Sequence, residues 1–459
     1  MQTHSSGGTA VSSRSRPRNP REQRAQVTPA RRIAYGVLRR VDEGAYADRA
    51  LVAECARARL DPRERQQAQR LAFGAVQMRR LLDWLIDGVA DKPQRIEPEI
   101  RDVLRLGAYE IIASDGTPDR AAVDQAATLA RSLPGPRGRG GARAGLVNAV
   151  LRRIAESGPA SIASLGDGDA ALRHSFPDWI ADGLRRSLGD ADAEAVMAAA
   201  NMPSESAVRW NTLRGPREDI EDDLPPWHGD PLLPEAMVLE APFALEESAA
   251  WRDGRVMAQS RASMLPAHVL NPMPGERILD LCAAPGAKAT QLAALSGGDA
   301  EVVAVELHPA RARALEEMAR RMGADITVIA GDGREVALPG DGFDAVLVDA
   351  PCTGTGVLSS RPDARWRRRE EALPALVEIQ SGLLARALEV VRPGGRVVYS
   401  TCSLLRDEDE DVVRASGAEV DDLGREFPGM GSPDLPGTLR LLPHVHGSDG
   451  FFIARLPGR

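Results

Sequence analysis

The stretch Asp280-Leu-Cys-Ala-Ala-Pro-Gly-Ala-Lys288 decides the fold of this 459-residue chain. An apolar, strand-like run, Arg277–Leu281, leads into it, and a helical segment, Ala289–Leu295, leads out. A strand that passes through small residues into a helix is the opening unit of an α/β sheet, where ligands bind at the carboxyl ends of strands. Small side chains bring a ligand close to the loop backbone and the helix N-terminus. The loop is neither G-x-G-x-x-G nor a G-K-[ST] phosphate loop, so an adenosine ligand fits it better than a nucleotide phosphate.

Outward from this loop the alternation continues. Strand-like runs at Glu301–Glu306, Ile326–Ile329, Ala345–Val348 and Arg396–Ser400 are separated by helical segments at Ala310–Met322 and Leu373–Val391. Residues 246–459 therefore read as a Rossmann-like, doubly wound and mostly parallel sheet. The second strand ends at Glu306, where an acid can accept both hydroxyls of a ribose. The third leads to Asp332, placed to receive an adenine amine, although Asp-Gly is also an ordinary turn. The fourth runs into Asp349-Ala-Pro-Cys352 and the fifth into Ser400-Thr-Cys-Ser403. In such sheets these two strands are neighbours, so Cys352 and Cys402 are expected to face one pocket. Buried cysteines often serve only as small hydrophobes. Two of the four at adjacent strand ends, beside polar residues, argue for chemistry.

The rest of the chain differs. Residues 1–27 are rich in Ser, Gly, Arg and Pro and read as a disordered basic tail, a spacer or an arm for phosphates. Residues 28–160 carry helical stripes (Ile33, Val37 and Leu38; Leu81, Leu82, Leu85 and Ile86; Ile100, Val103 and Leu104; Leu146, Val147, Val150 and Leu151) and read as an all-α bundle. The Gly- and Arg-rich segment 134–143 reads as a flexible basic loop. Residues 161–245 form a mixed connecting subdomain with one strand-like piece, 207–213. The net charge is −8, so any nucleic-acid surface must be local. Lys92 and Lys288 are the only lysines among 58 basic residues, which singles out Lys288. Four cysteines without zinc spacing argue against a metal. The apolar runs are too short to span a membrane, and a cytoplasmic, reduced setting is expected.

Together, Leu279–Lys288, Asp349-Ala-Pro-Cys-Thr-Gly-Thr-Gly356, Arg361-Pro-Asp363 with Trp366, Pro393-Gly-Gly395 through Ser403, and Asp449-Gly-Phe-Phe452 resemble the Sun (Fmu) family of RNA cytosine-C5 methyltransferases. The helical part, at Leu104–Tyr109, Ala121–Gln125 and Leu146–Leu151, is similar to the RNA-binding NusB domain. The resemblance implies an RNA partner, 16S rRNA, and S-adenosyl-L-methionine as methyl donor. Cys402 would be the nucleophile, Cys352 would assist breakdown of the adduct, Asp349 would contact the cytosine, and Lys288 would lie in the active site. The loop of Cys282, Ala283, Ala284, Pro285, Gly286, Ala287 and Lys288, with Glu306, Asp332 and Asp349, is expected to hold the donor. A monomer is expected. A non-enzymatic ribosome-assembly or antitermination factor is the alternative, and it predicts a decayed donor site. Two positions depart from the family pattern. Ala287 replaces a glycine, and Asp409 replaces the asparagine of Glu-Asn-Glu, where added charge is expected to raise the Cys402 pKa.

Overall fold

The structure is a computed structural model and describes residues 26–58, 60–113, 116–136, 138–241 and 243–458. The tail expected over 1–27 lies, up to residue 25, outside the described residues.

The N-terminal part is helical: Pro29–Asp42, Ala47–Ala58, Pro62–Gln77, Arg79–Val89, Pro98–Ala113, Asp119–Ser132 and Arg139–Ala163. Its stripes converge on one core of Ile33, Val37, Leu38, Leu81, Leu82, Leu85, Ile86, Ile100, Val103, Leu104, Val147 and Leu151. Leu146, expected among them, is exposed. The expected loop over 134–143 is shorter than its glycines suggest, because the last helix already begins at Arg139. Packing overrides propensity there. A Cβ at Gly140 would sit 2.8 Å from the Arg131 carbonyl oxygen, so glycine permits close helix contact. Arg139 and Arg143 both pair with Glu97, at 2.9 and 2.6 Å.

The connector holds helices Asp178–Leu188 and Asp190–Ala199, then a four-stranded antiparallel sheet ordered β2-β3-β1-β4. Its strands are β1 (Ala207–Trp210), β2 (Trp227–Gly229), β3 (Ala236–Leu239) and β4 (Val256–Ala258). Sequence alone points only to β1.

The C-terminal sheet has seven strands: β5 (Arg277–Asp280), β6 (Glu301–Glu306), β7 (Ile326–Ala330), β8 (Phe343–Asp349), β9 (Val391–Thr401), β10 (Leu439–Leu441) and β11 (Phe451–Pro457). Their order is β10-β11-β9-β8-β5-β6-β7. Strands β5 to β9 are parallel, and β11 runs antiparallel to β9. Side chains alternate between the two faces with period two. Ile278, Val302, Leu347, Val398 and Ile453 pack on one side with helix Arg261–Leu270. Leu279, Val303, Val346, Val397 and Phe452 pack on the other with helix Leu373–Val390. Apolar residues at consecutive strand positions are what a sheet covered on both faces requires.

Candidate active site

The loop after β5 is shaped by one glycine. Gly286 has φ +111°, and a Cβ there would lie 2.6 Å from Leu315 Cδ1. Position 286 therefore requires glycine. Ala287 begins the following helix with ordinary φ, so this departure falls where a methyl group is tolerated. Asp280 is fully buried, and its Oδ1 accepts the Cys282 backbone N–H at 3.2 Å. Among the described residues its Oδ2 has no hydrogen-bond partner. Burial first, then the nearby Asp349 charge, pushes this carboxyl up to about 7. The Cys282 thiol is raised by burial and the same acids, which makes it a poor nucleophile.

Glu306 is nearly buried; its Oε1 accepts the His308 N–H at 3.0 Å and lies 3.4 Å from Arg311. Asp332 makes its side-chain bonds within its own turn. It accepts the Arg334 N–H at 3.0 Å and pairs with the Arg334 guanidinium at 2.6 Å, which holds its carboxyl low.

β8 and β9 bring the two thiols together. Cys352 Sγ and Cys402 Sγ are 3.4 Å apart. Cys352 is buried and Cys402 partly exposed. The hydrogen bond between them holds the Cys402 thiol below its usual range, with Arg361 and Lys288 adding to the effect against burial and Asp349. The same bond, burial and the Glu408 charge push Cys352 up. The cations lie near Cys402 and the Glu408 charge near Cys352, so the pair favours Cys352 as the donor and Cys402 as the more acidic thiol. This corrects the expectation about Asp409. That carboxyl is buried, accepts from Thr401 Oγ1, and is held well above the usual range by burial and by Glu410. Burial thus favours its protonated form, and the Cys402 pKa is lowered.

Lys288 Nζ donates to Asp349 Oδ2 at 2.8 Å and to Ser263 Oγ at 3.0 Å, and lies 5.1 Å from the Phe451 ring centroid. Ser400 Oγ donates to Asp349 Oδ1 at 2.9 Å. Glycine is again needed where loops meet: a Cβ on Gly356 would fall 2.2 Å from the Gly450 carbonyl oxygen. Sequence reasoning assigned no role to Ser263, Glu408 or Arg361. Arg361 and Glu408 stood inside the quoted motifs; Ser263 had no local signal.

The segment after the Cys352 loop joins all parts of the molecule. Arg365 is fully buried and donates to Asn201 Oδ1 at 2.9 Å and to the Ala200 carbonyl at 3.2 Å. Burial lowers its pKa to about 9. Trp366 Nε1 donates to the Val76 carbonyl at 2.7 Å, at the end of a helix of the N-terminal bundle. Among the described residues no cluster of three or more His, Cys, Asp or Glu is placed to hold a metal ion, and no helix is long and apolar enough to cross a membrane.

A sheet of this order, with a small-residue loop after its first parallel strand and acids at the next strand ends, defines a Rossmann-like methyltransferase. Comparison with known proteins narrows the class. Residues 267–457 match the model of the family described as 16S rRNA methyltransferase RsmB/F, and residues 28–156 match the NusB family. The chain is 30% identical over 449 residues to a probable ribosomal RNA small subunit methyltransferase B of Bacillus subtilis, covering 94% of this chain and 98% of that one. It is 34% identical over 478 residues to a putative methyltransferase of Mycobacterium tuberculosis, covering 96% and 99%. The solved structure of PH0851 superposes with a TM-score of 0.79 at 24% identity, covering 94% of this chain and 99% of that one, which shows the shared fold. The chain belongs to the RsmB/F family of rRNA methyltransferases with an N-terminal NusB domain. S-adenosylmethionine is its methyl donor. The site suits that group: a glycine-dependent cradle, a buried carboxyl oxygen left without a protein donor, and the nearly buried Glu306.

Proposed function

We propose that this enzyme methylates C5 of a cytosine in 16S rRNA through a covalent bond between Cys402 and C6 of the base. The observation that carries this reading is the 3.4 Å approach of two thiols at adjacent strand ends, one of them lowered, beside a Lys–Asp pair. Held by the loop Cys282–Lys288 with Glu306, Asp332 and Asp349, S-adenosylmethionine supplies an electrophilic methyl group.

The protein's own residues make C5 a nucleophile. Cytosine C5 is unreactive until a thiolate adds at C6 and converts it to an enamine carbon. The Cys402 thiolate is positioned for that addition. As the thiolate adds at C6, N3 takes up a proton from water, and Asp349, oriented by Lys288 and Ser400, accepts a hydrogen bond from that N3–H. The Cys352 S–H bond that favours the Cys402 thiolate also makes that sulfur a better leaving group. A base then removes the C5 proton, the C6–S bond breaks as the ring double bond re-forms, and Cys402 leaves as thiolate with Cys352 assisting that release. The target base must be unstacked to reach the pocket. The helical region 28–160 serves RNA binding, the connector supports the thiol loops, and the domain of the seven-stranded sheet carries the chemistry, in a cytoplasmic monomer.

Wild type, Cys352→Ala and Cys402→Ala are incubated with 16S rRNA and methyl-labelled S-adenosylmethionine. Label at cytosine C5 with wild type is expected. A slow-migrating protein–RNA band should accumulate with Cys352→Ala, and neither product should form with Cys402→Ala. An active Cys402→Ala would sink the mechanism.

A further inference from the structure

Each cysteine is followed by a hydroxyl residue, and both hydroxyls bond to the same buried carboxylate. Glu408 is fully buried. Its Oε1 accepts from the Thr353 backbone N–H at 2.9 Å and from Gln380 Nε2 at 3.0 Å. Its Oε2 accepts from Ser403 Oγ at 2.6 Å and from Thr353 Oγ1. Its backbone carbonyl accepts Tyr399 OH at 2.6 Å, which ties it to β9, the strand that ends beside Cys402. Four donors converge on its two oxygens. None of the four is a cation, so they do not cancel its charge.

We propose that Glu408 is a positioning residue for methyl transfer, setting both the spacing of the two thiols and which of them carries the negative charge. Spacing follows from its bonds to Thr353 and Ser403, the residues next to Cys352 and Cys402. Charge follows from its placement: the carboxylate disfavours a second anion on Cys352, while Lys288 and Arg361 favour one on Cys402. The inference deepens the covalent-cysteine reading and rests on it, yet its test reads the thiols without RNA or methyl donor.

Full-length protein is treated with limiting iodoacetamide across a pH series, and alkylation at Cys352 and Cys402 is read by peptide mass spectrometry. Wild type should react first at Cys402, the thiolate being the reactive form. Glu408→Gln preserves shape: its amide oxygen accepts the two N–H donors, and the two hydroxyls turn to accept from its NH2. With the charge gone, the preference for Cys402 over Cys352 should fall on the order of tenfold, the equivalent of one pKa unit. Cys352 should also become reactive at lower pH. An unchanged preference and pH profile in folded Glu408→Gln would overturn the proposal. If that variant does not fold, Glu408→Asp decides, since it keeps the charge on a shorter arm. Preserved preference with reduced methyl transfer is then expected, and a lost preference in folded Glu408→Asp overturns the idea. Inactivity of the wild type on 16S rRNA would count against the methylation reading and leave the alkylation result standing.

Discussion

Along the carboxyl edge of the sheet, the residues after β5, β6 and β7 are held singly, whereas those after β8 and β9 form nets. Asp280 has one backbone donor, Glu306 has His308 and Arg311, and Asp332 has Arg334. On the thiol side, Lys288, Asp349 and Ser400 form one chain of bonds, and Thr353, Gln380, Ser403 and Glu408 form another around the two sulfurs. Behind the thiol loops, Leu358, Leu404 and Leu405 pack with Phe176, Ile180, Leu184 and Met197 of the connector. The contrast matches two tasks. A methyl donor must enter and leave at every turnover, so its side of the site gains from local contacts that reform independently. A nucleophile must stay within a fraction of an ångström of its target, and about 1 Å of error can cost 100-fold.

The largest effect should come from the thiol side alone. Cys402→Ala should lower methyl transfer by roughly 10⁴-fold or more, while calorimetric binding of S-adenosylmethionine stays within about threefold, since no donor contact is lost. A comparable loss of donor affinity would break the comparison, because the two sides would then act as one unit.

Lys288 stands between the two sides and tests where the boundary lies. Lys288→Met removes a cation that lowers the Cys402 pKa and the ion pair that orients Asp349. Transfer should fall roughly 10²- to 10³-fold, the scale of a lost electrostatic partner in an active site. The nucleophile works as thiolate, so raising its pKa moves the acid limb of the kcat/KM profile to higher pH. A profile that keeps its midpoint would show that Lys288 acts through Asp349 alone.

The same division explains what was legible in the sequence. The parallel strands could be read because strands buried on both faces are apolar at consecutive positions, and the donor loop because its small residues are contiguous. The thiol pair could be read because β8 and β9 are neighbours, so each cysteine follows from its own strand end. The hairpin β10–β11 was hidden: β10 has three residues, too few to show a period. Ser263 was hidden because its helix is distant in sequence from Lys288 and the contact exists only once the sheet is packed. The segment 134–143 misled because glycine content signals a loop, whereas contact with helix Asp119–Ser132 made glycine useful inside a helix.

A smaller effect belongs to the donor side. Glu306→Gln removes a nearly buried charge expected to accept ribose hydroxyls. Affinity for S-adenosylmethionine should fall about 10- to 100-fold, equivalent to about 1.5–3 kcal/mol for hydrogen bonds to a charged acceptor. Transfer at saturating donor should change little, and the iodoacetamide pattern at the thiols should not move. A shifted thiol pattern would show coupling across the sheet edge that the hydrogen bonds do not reveal.

The smallest effect concerns Asp409, which stands behind the thiol side without joining its net of charges. Burial and Glu410 hold its carboxyl well above the range it would have in the unfolded chain. Over the interval between those two values the unfolded state releases a proton that the folded state keeps, so stability falls as pH rises. Below the ordinary carboxylate range both states are protonated and the penalty vanishes. An asparagine at this position would carry no such penalty and can still accept from Thr401 Oγ1. Asp409→Asn should therefore match wild type near about pH 3 to 4 and melt progressively higher than wild type toward neutral pH. Methyl transfer should stay within about twofold, because a neutral acid and an amide present the same charge to Cys402. A melting advantage independent of pH would place the benefit in packing and would remove the ground for a neutral carboxyl behind the thiols.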